Sequence, residues 1–303
     1  MKHRVRSVLR IAGGLFVICA LGCVFYSCAA ERLLEEEIRT ADRDPGTGII
    51  RGTEPKTLPG GGPRACLLVH GWIGSPIDFR DLGERLNEHD LTVRIMLLPG
   101  HGTSPRELAG MKADDFLRAV TEEFLALKET HEEVAVVGFS MGGALATLLA
   151  AEQDVDRLVL IAPYYAVTYR WFYVLPAEAW NSLLAPFVPF VIKSEKFQRV
   201  NRPEARGRIF TYRAASTASV AELVSLGDRA RDPALLGRIS CPLLLLHSEG
   251  DMAASASASA AAFESFGSGE KEYLSFTRSD HHILWDYDGE EAALRIVEFL
   301  RED

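Results

Sequence analysis

The sequence predicts an α/β protein: a mainly parallel sheet flanked by helices, with an inserted cap and an N-terminal transmembrane or signal segment. Three observations carry that prediction. Short apolar runs alternate with amphipathic segments from about residue 64 onward, one interval of some 65 residues breaks the rhythm, and residues 11–30 carry no charge.

The strand-like runs are 65–70, 92–98, 134–138, 157–162, 242–247 and 272–276. Between and after them lie helix-like segments at 77–89, 113–128, 141–152, 229–237, 254–266 and 289–301. In the second of these, Phe116, Val120, Phe124 and Leu127 fall on one face. Before the last, Asp288 with Glu291 three residues on reads as a capping box. Strand alternating with helix implies right-handed crossovers, which place strands in parallel and cover both faces of the sheet. The interval from Pro163 to about Gly227 holds clustered aromatics (Tyr164, Tyr165, Tyr169, Trp171, Phe172, Tyr173, Trp180, Phe187, Phe190) broken by Pro176, Pro186 and Pro189. An insertion of that length reads as a lid, placed at about 164–227, whose aromatics are expected either to line an acyl pocket or to hold the cap to the core.

Residues 1–30 read as a membrane anchor or signal segment, because about 20 uncharged residues in a helix just span a hydrocarbon core of ~30 Å. Lys2, Arg4, Arg6 and Arg10 precede the run, and Glu31, Glu35, Glu36 and Glu37 follow it. By the positive-inside tendency the N-terminus is expected in the cytoplasm and the body on the non-cytoplasmic side. Three fates stay open: an uncleaved anchor, a signal cut near Ser27-Cys28-Ala29, or a lipoprotein acylated at Cys23 or Cys28. Residues 31–63 combine a short charged helix pattern with Gly- and Pro-rich turns and read as a tether, leaving 64–303 for the packed domain with its cap.

Four of the 33 basic residues precede Glu31, which leaves 29 against 42 acids and a net charge of −13 from there on. That acidic body repels phosphate backbones, so nucleic acid is excluded as a partner. Three of five cysteines lie in the apolar segment; Cys66 and Cys241 sit in or beside strands and are expected as free core thiols. No His pair shows zinc-hydrolase spacing, so neither metal nor cofactor is expected.

The chemistry centres on Gly138-Phe139-Ser140-Met141-Gly142, a G-x-S-x-G with a buried strand before it and a helix after it. A sharp strand-to-helix turn lifts a serine hydroxyl clear of the sheet and aims the helix N-terminus at the reacting oxygen, which makes Ser140 the expected nucleophile. Such a serine needs a base and an orienting carboxylate, in the chain order Ser, acid, His. After the strand at 243–246 come Glu249 and Asp251, and the loop after 273–276 carries both His281 and His282.

His70-Gly71-Trp72, Leu98-Pro99-Gly100-His101-Gly102-Thr103-Ser104-Pro105, the turn at Ser140 and Ser279-Asp280-His281 together resemble the α/β-hydrolase superfamily, in particular its bacterial carboxylesterase and monoacylglycerol lipase-like serine hydrolases. The resemblance covers roughly residues 46–301. It implies the α/β-hydrolase fold, Asp251 as the acid and His281 as the base, and the backbone N–H groups of Trp72 and Met141 as an oxyanion hole. It also implies cleavage of carboxylic esters of small molecules or lipids, with lysophospholipase, thioesterase or amidase activity as the alternative on the same triad.

Overall fold

The computed structural model describes residues 2–168, 175–193 and 198–301 of the chain. In chain order the elements are α1 (Lys2–Thr40), β1 (Lys56–Leu58), β2 (Arg64–Val69), α2 (Leu82–Asn87), β3 (Thr92–Ile95), α3 (Pro105–Ala109), α4 (Ala113–Lys128), β4 (Glu133–Phe139), α5 (Met141–Ala150), β5 (Leu158–Ile161), α6 (Ala177–Leu184), β6 (Phe190–Ile192), β7 (Ala214–Ser216), α7 (Thr217–Ala230), α8 (Pro233–Leu236), β8 (Leu243–Ser248), α9 (Ala256–Ser265), β9 (Lys271–Phe276) and α10 (Gly289–Arg301).

Seven strands form one sheet in the order β1-β3-β2-β4-β5-β8-β9. All neighbours run parallel except β1, which pairs antiparallel with β3 at the edge. The alternating pleat sorts the strand residues onto two faces. Leu67, Val69, Val136, Leu160 and Leu245 join a core with α4, α5, α7 and α9, while Cys66, Leu68, Val137, Ile161 and Leu246 pack against α2 and α10. Each fully buried side chain of this kind contributes roughly 1.5–3 kcal/mol, so a strand buried on both faces is held by nearly every residue it has. From β2 the chain moves outward to β3, then recrosses β2 to reach β4. Connections leaving β2 and β4 therefore diverge, and that divergence opens a crevice at their carboxyl ends.

Several segments differ from the sequence expectation, each for a local reason. The helix expected at 77–89 is split into a 3₁₀ turn at Pro76–Phe79 and α2, because Arg80 between them takes a positive φ of 53°. That expected at 229–237 is the end of α7 followed by α8; Pro233 cannot continue a helix, and the Asp232 side chain caps the new start by accepting the Ala234 N–H. The Asp288 carboxylate does not complete the expected capping box: it accepts the Arg278 N–H and, at 2.7 Å, the Ser279 O–H. Strand β1 is three residues long, too short for an alternating pattern to reveal. Cys66 and Cys241 are free.

Within the interval at 164–227, β6 and β7 pair as an antiparallel hairpin, while α7 leaves the cap and packs on α5 in the main core. Tyr164 and Tyr165 are buried in the core, where the Tyr165 hydroxyl meets that of Thr147 at 2.8 Å. Phe190 packs on α1, and Phe187 faces outward. Tyr169, Trp171, Phe172 and Tyr173 lie outside the described residues.

Helix α1 runs unbroken from the apolar segment into the charged one. Val17–Thr40 is long and apolar enough to cross a membrane, with a mean hydropathy of 1.6 over its most apolar window and little of that window buried. Its distal part is docked: Ala30 and Leu34 bury against Phe190 and Ala214 of the cap hairpin.

Candidate active site

Strand β4 ends at Phe139, and Ser140 takes φ 54° and ψ −117° before α5 begins. A left-handed serine is strained, and it holds because its neighbours leave no alternative. A Cβ on Gly142 would sit 1.9 Å from the Val69 carbonyl oxygen, and one on Gly138 would sit 2.4 Å from that of Gly142. The loop after β2 thus lies directly on the N-terminus of α5. Glycine is required at both positions for that approach.

Ser140 and His281, 141 residues apart, meet at 2.9 Å between Oγ and Nε2, and His281 Nδ1 lies 2.7 Å from Asp251 Oδ2. With the Nδ1–H donated to the carboxylate, Nε2 is left as the acceptor for the serine hydroxyl. Ser140 is only 7% exposed, and His281 and Asp251 are also buried. The chain of hydrogen bonds therefore operates away from bulk water.

Asp251 is the better-satisfied acid. Its Oδ1 accepts the N–H groups of Ala253 at 2.7 Å and Ala254 at 2.9 Å, and its Oδ2 receives His247 Nε2 at 3.1 Å besides His281. Burial pushes its carboxyl up, but the two imidazoles and their hydrogen bonds outweigh burial and hold it well below the usual carboxylate range. Glu249, the rival by sequence position, is exposed and accepts the Ser275 hydroxyl instead. His247 has no sequence signature as a partner of the acid. Its position four residues before Asp251, at the end of β8, is the one available hint.

His282 turns away from Ser140. Its Nδ1 stands 3.9 Å from Asp78 Oδ1, and burial together with the neighbouring His281 holds its imidazole well below the usual range. The Phe139 ring packs against both imidazoles, at 4.9 Å and 5.0 Å between ring centroids. Asp78 also accepts the Gly71 N–H at 3.2 Å, with burial raising its carboxyl to about 7. Sequence reasoning missed it, because an acid in a helix-like segment looks solvated.

Trp72 follows Gly71, whose added Cβ would stand 3.1 Å from that of Ser140. The N–H groups of Trp72 and Met141 donate to no acceptor among the described residues, so both are available to an oxygen bound beside Ser140. Their loop is braced by two histidines. His70 Nε2 accepts the Leu98 N–H at 3.0 Å and His101 Nε2 accepts the Ile73 N–H at 3.1 Å, so each remaining Nδ1–H goes to a backbone carbonyl, of Gly71 and Pro99 respectively. Burial lowers both imidazoles, His101 to about 4, and both stay neutral structural ties at physiological pH. The cap interval reaches the site at two points: the Thr168 hydroxyl donates to the Asp251 carbonyl at 3.1 Å, and the His282 N–H donates to that of Arg199.

Such a site can deliver a serine oxygen to a carbonyl carbon, take up its proton on His281 and hold the resulting oxyanion with backbone N–H donors. The chain is similar to known hydrolases in sequence and fold. The thermostable monoacylglycerol lipase of Bacillus sp. (strain H-257) is 31% identical over 252 residues, covering 83% of this chain and 96% of that protein. The carboxylesterase of Bacillus subtilis (strain 168) is 35% identical over 107 residues, 35% of this chain and 44% of that one. Among solved structures, one from work on the metagenome-derived lipolytic enzymes LipS and LipT superposes with a TM-score of 0.75 at 25% identity, covering 84% of this chain and 100% of that one. The family described as serine aminopeptidase, S33, matches residues 63–288. On its parallel sheet, its strained serine turn and that match, the chain belongs to the serine aminopeptidase S33 family of α/β hydrolases.

Proposed function

We propose that the chain hydrolyses carboxylic esters, as a carboxylesterase or monoacylglycerol lipase type of serine hydrolase, through an acyl-enzyme on Ser140. The observation that carries the reading is the continuous Ser140–His281–Asp251 hydrogen-bonded chain. Ser140 attacks the ester carbonyl as His281 takes its proton, and the Trp72 and Met141 N–H groups hold the oxyanion. Asp251 orients the imidazole and stabilises its charged form, and His281 then protonates the departing alcohol. Water activated by the same imidazole releases the acid. Similarity along 96% of a monoacylglycerol lipase supports lipid esters as the substrate class.

A second reading, amide cleavage, is favoured by the family description alone. The purified chain should turn over p-nitrophenyl esters of graded chain length far faster than aminoacyl p-nitroanilides. Ser140→Ala should abolish both this activity and labelling by a fluorophosphonate. Labelling retained in that variant overturns the nucleophile; faster anilide turnover overturns the ester reading.

The same proposal takes residues 11–30 as a retained membrane anchor with the catalytic body on the non-cytoplasmic side. Support comes from the charge asymmetry around the segment and from contacts that cleavage would sever: the Ile192 N–H donates to the Tyr26 hydroxyl at 2.8 Å, and the Ser27 hydroxyl donates to the Phe187 carbonyl at 2.9 Å. Full-length chain recovered soluble after fractionation, or protected from protease added to the non-cytoplasmic face, overturns it. Acyl loss on replacing Cys23 or Cys28 would reassign it as a lipoprotein.

A further inference from the structure

We propose that the outer edge of the cap is a second lipid-contacting surface, so that α1 and the turn carrying Leu183 and Phe187 lie together in one face of a bilayer. The inference rests on the membrane reading of α1 and extends it to the lid. Helix α1 does not release the body on a flexible tether. It continues as helix to Thr40 and is bonded to the cap on the way: the two hydrogen bonds from Tyr26 and Ser27 reach the cap, the Arg213 N–H donates to Glu37 Oε1 at 2.9 Å, and Ala30 and Leu34 bury against the β6–β7 hairpin.

These bonds fix a height. The first charge after the apolar run is Glu31, and Ser27 lies four residues before it. At a rise of 1.5 Å per residue that is about 6 Å to the apolar side of the charge boundary. Ser27 bonds the Phe187 carbonyl directly, which holds Phe187 at that depth. Phe187 is 60% exposed, Leu183 four residues before it is 56% exposed, and Phe25, two residues before Ser27 on α1, is 74% exposed. An exposed phenylalanine in water is a liability; at the boundary of acyl chains and headgroups it is stabilised by the area it removes from water. Beyond the boundary the surface turns ionic, where Arg106 of α3 bridges Glu31 and Glu35. Apolar edge and charged shoulder thus follow the same division on the cap as on α1.

The test uses the full-length chain in phosphatidylcholine vesicles whose acyl chains carry bromine, a short-range quencher of tryptophan. Phe187→Trp should add fluorescence that brominated lipid quenches severalfold more than fluorescence added by Leu125→Trp, an exposed position on α4. The pair Leu183→Asp with Phe187→Asp should lower hydrolysis of monoacylglycerol presented in vesicles about tenfold or more, while hydrolysis of soluble p-nitrophenyl acetate stays unchanged. Equal quenching at 187 and 125 in protein that floats with the vesicles overturns the proposal, whether water or a second copy of the chain covers the ring. Equal loss on both substrates also overturns it. Failure of the full-length chain to float at all overturns the reading of α1 itself. Absence of p-nitrophenyl acetate turnover in the parent chain falls on the ester reading, and the quenching comparison still decides the surface.

Discussion

Two buried carboxylates face the two adjacent histidines, and they are treated in opposite ways. In the loop after β8, Asp251 receives two backbone N–H groups and two imidazoles. In the 3₁₀ turn after β2, Asp78 receives the Gly71 N–H at 3.2 Å on Oδ2, while its Oδ1 finds no hydrogen-bond partner among the described residues and stands 3.9 Å from His282. Burial is similar for both. The difference teaches that donors, and not depth, decide whether a buried acid stays ionised: Asp251 is held below the carboxylate range, while burial pushes Asp78 up to about 7 because the Gly71 hydrogen bond and the charges of His281 and Lys193 do not offset it. One pair ends on a serine and can stabilise an imidazolium. The other supports the backbone of the loop after β2, next to the proposed oxyanion donor Trp72.

The largest effect should come from exchanging acids for amides. Asp251→Asn leaves the volume unchanged but offers a donor where His281 needs an acceptor, so kcat should fall on the order of 10⁴-fold. Asp78→Asn keeps an acceptor for Gly71 and should cost less than about tenfold. Similar losses in steady-state kinetics of an activated ester would break the distinction.

The histidines sharpen it next. His281→Ala should lose on the order of 10³-fold or more in kcat and remain folded, whereas His282→Ala should keep most of its activity. The reverse pattern would move the base to His282.

Stability against pH separates the two carboxylates through signs. Asp251 has a depressed folded value, so its contribution is fully present above the ordinary carboxylate value of 3.8 and is lost as pH falls through the lower folded value. Asp78 has a raised folded value. Its contribution is fully present below 3.8 and is lost as pH rises through about 7, by a few kcal/mol at most. Denaturant unfolding of Asp78→Asn between pH 4 and 8 should therefore gain stability relative to the parent as pH rises. A constant difference across that range would mean that Asp78 is ionised in the fold throughout.

The smallest effect probes the loop that Asp78 supports. A Cβ at Gly74 would stand 2.2 Å from Asp78 Oδ2, so Gly74→Ala must displace that carboxylate from Gly71. Overpacking of this kind costs roughly 1–3 kcal/mol. In the Asp78→Asn background the same substitution should lower kcat further by less than it does alone; full additivity would show that the two residues do not share the loop.

By itself, the sequence determined whatever local chemistry fixes. Residues 134–138 before Ser140 are apolar and Gly142, Gly143 and Ala144 after it are small, so the strand, the turn and the helix N-terminus were legible together, and with them Ser140. The alternation of short apolar runs with amphipathic segments likewise determined a parallel sheet covered on both faces, since buried strands and flanking helices have periods that show in one dimension. Order along the chain narrowed the acid to Glu249 or Asp251 and the base to His281 or His282; family resemblance pointed to Asp251 and His281. Only the tertiary structure brought His281 to Ser140 and Asp251 to His281, because a 2.9 Å contact across 141 residues depends on how β4, β8 and β9 stack in the sheet. It alone brought His247 onto Asp251, set Asp78 beneath Gly71 and bonded Ser27 to a cap residue 160 positions away. Those contacts leave no periodic trace, since each depends on distances between elements that the intervening chain does not encode locally.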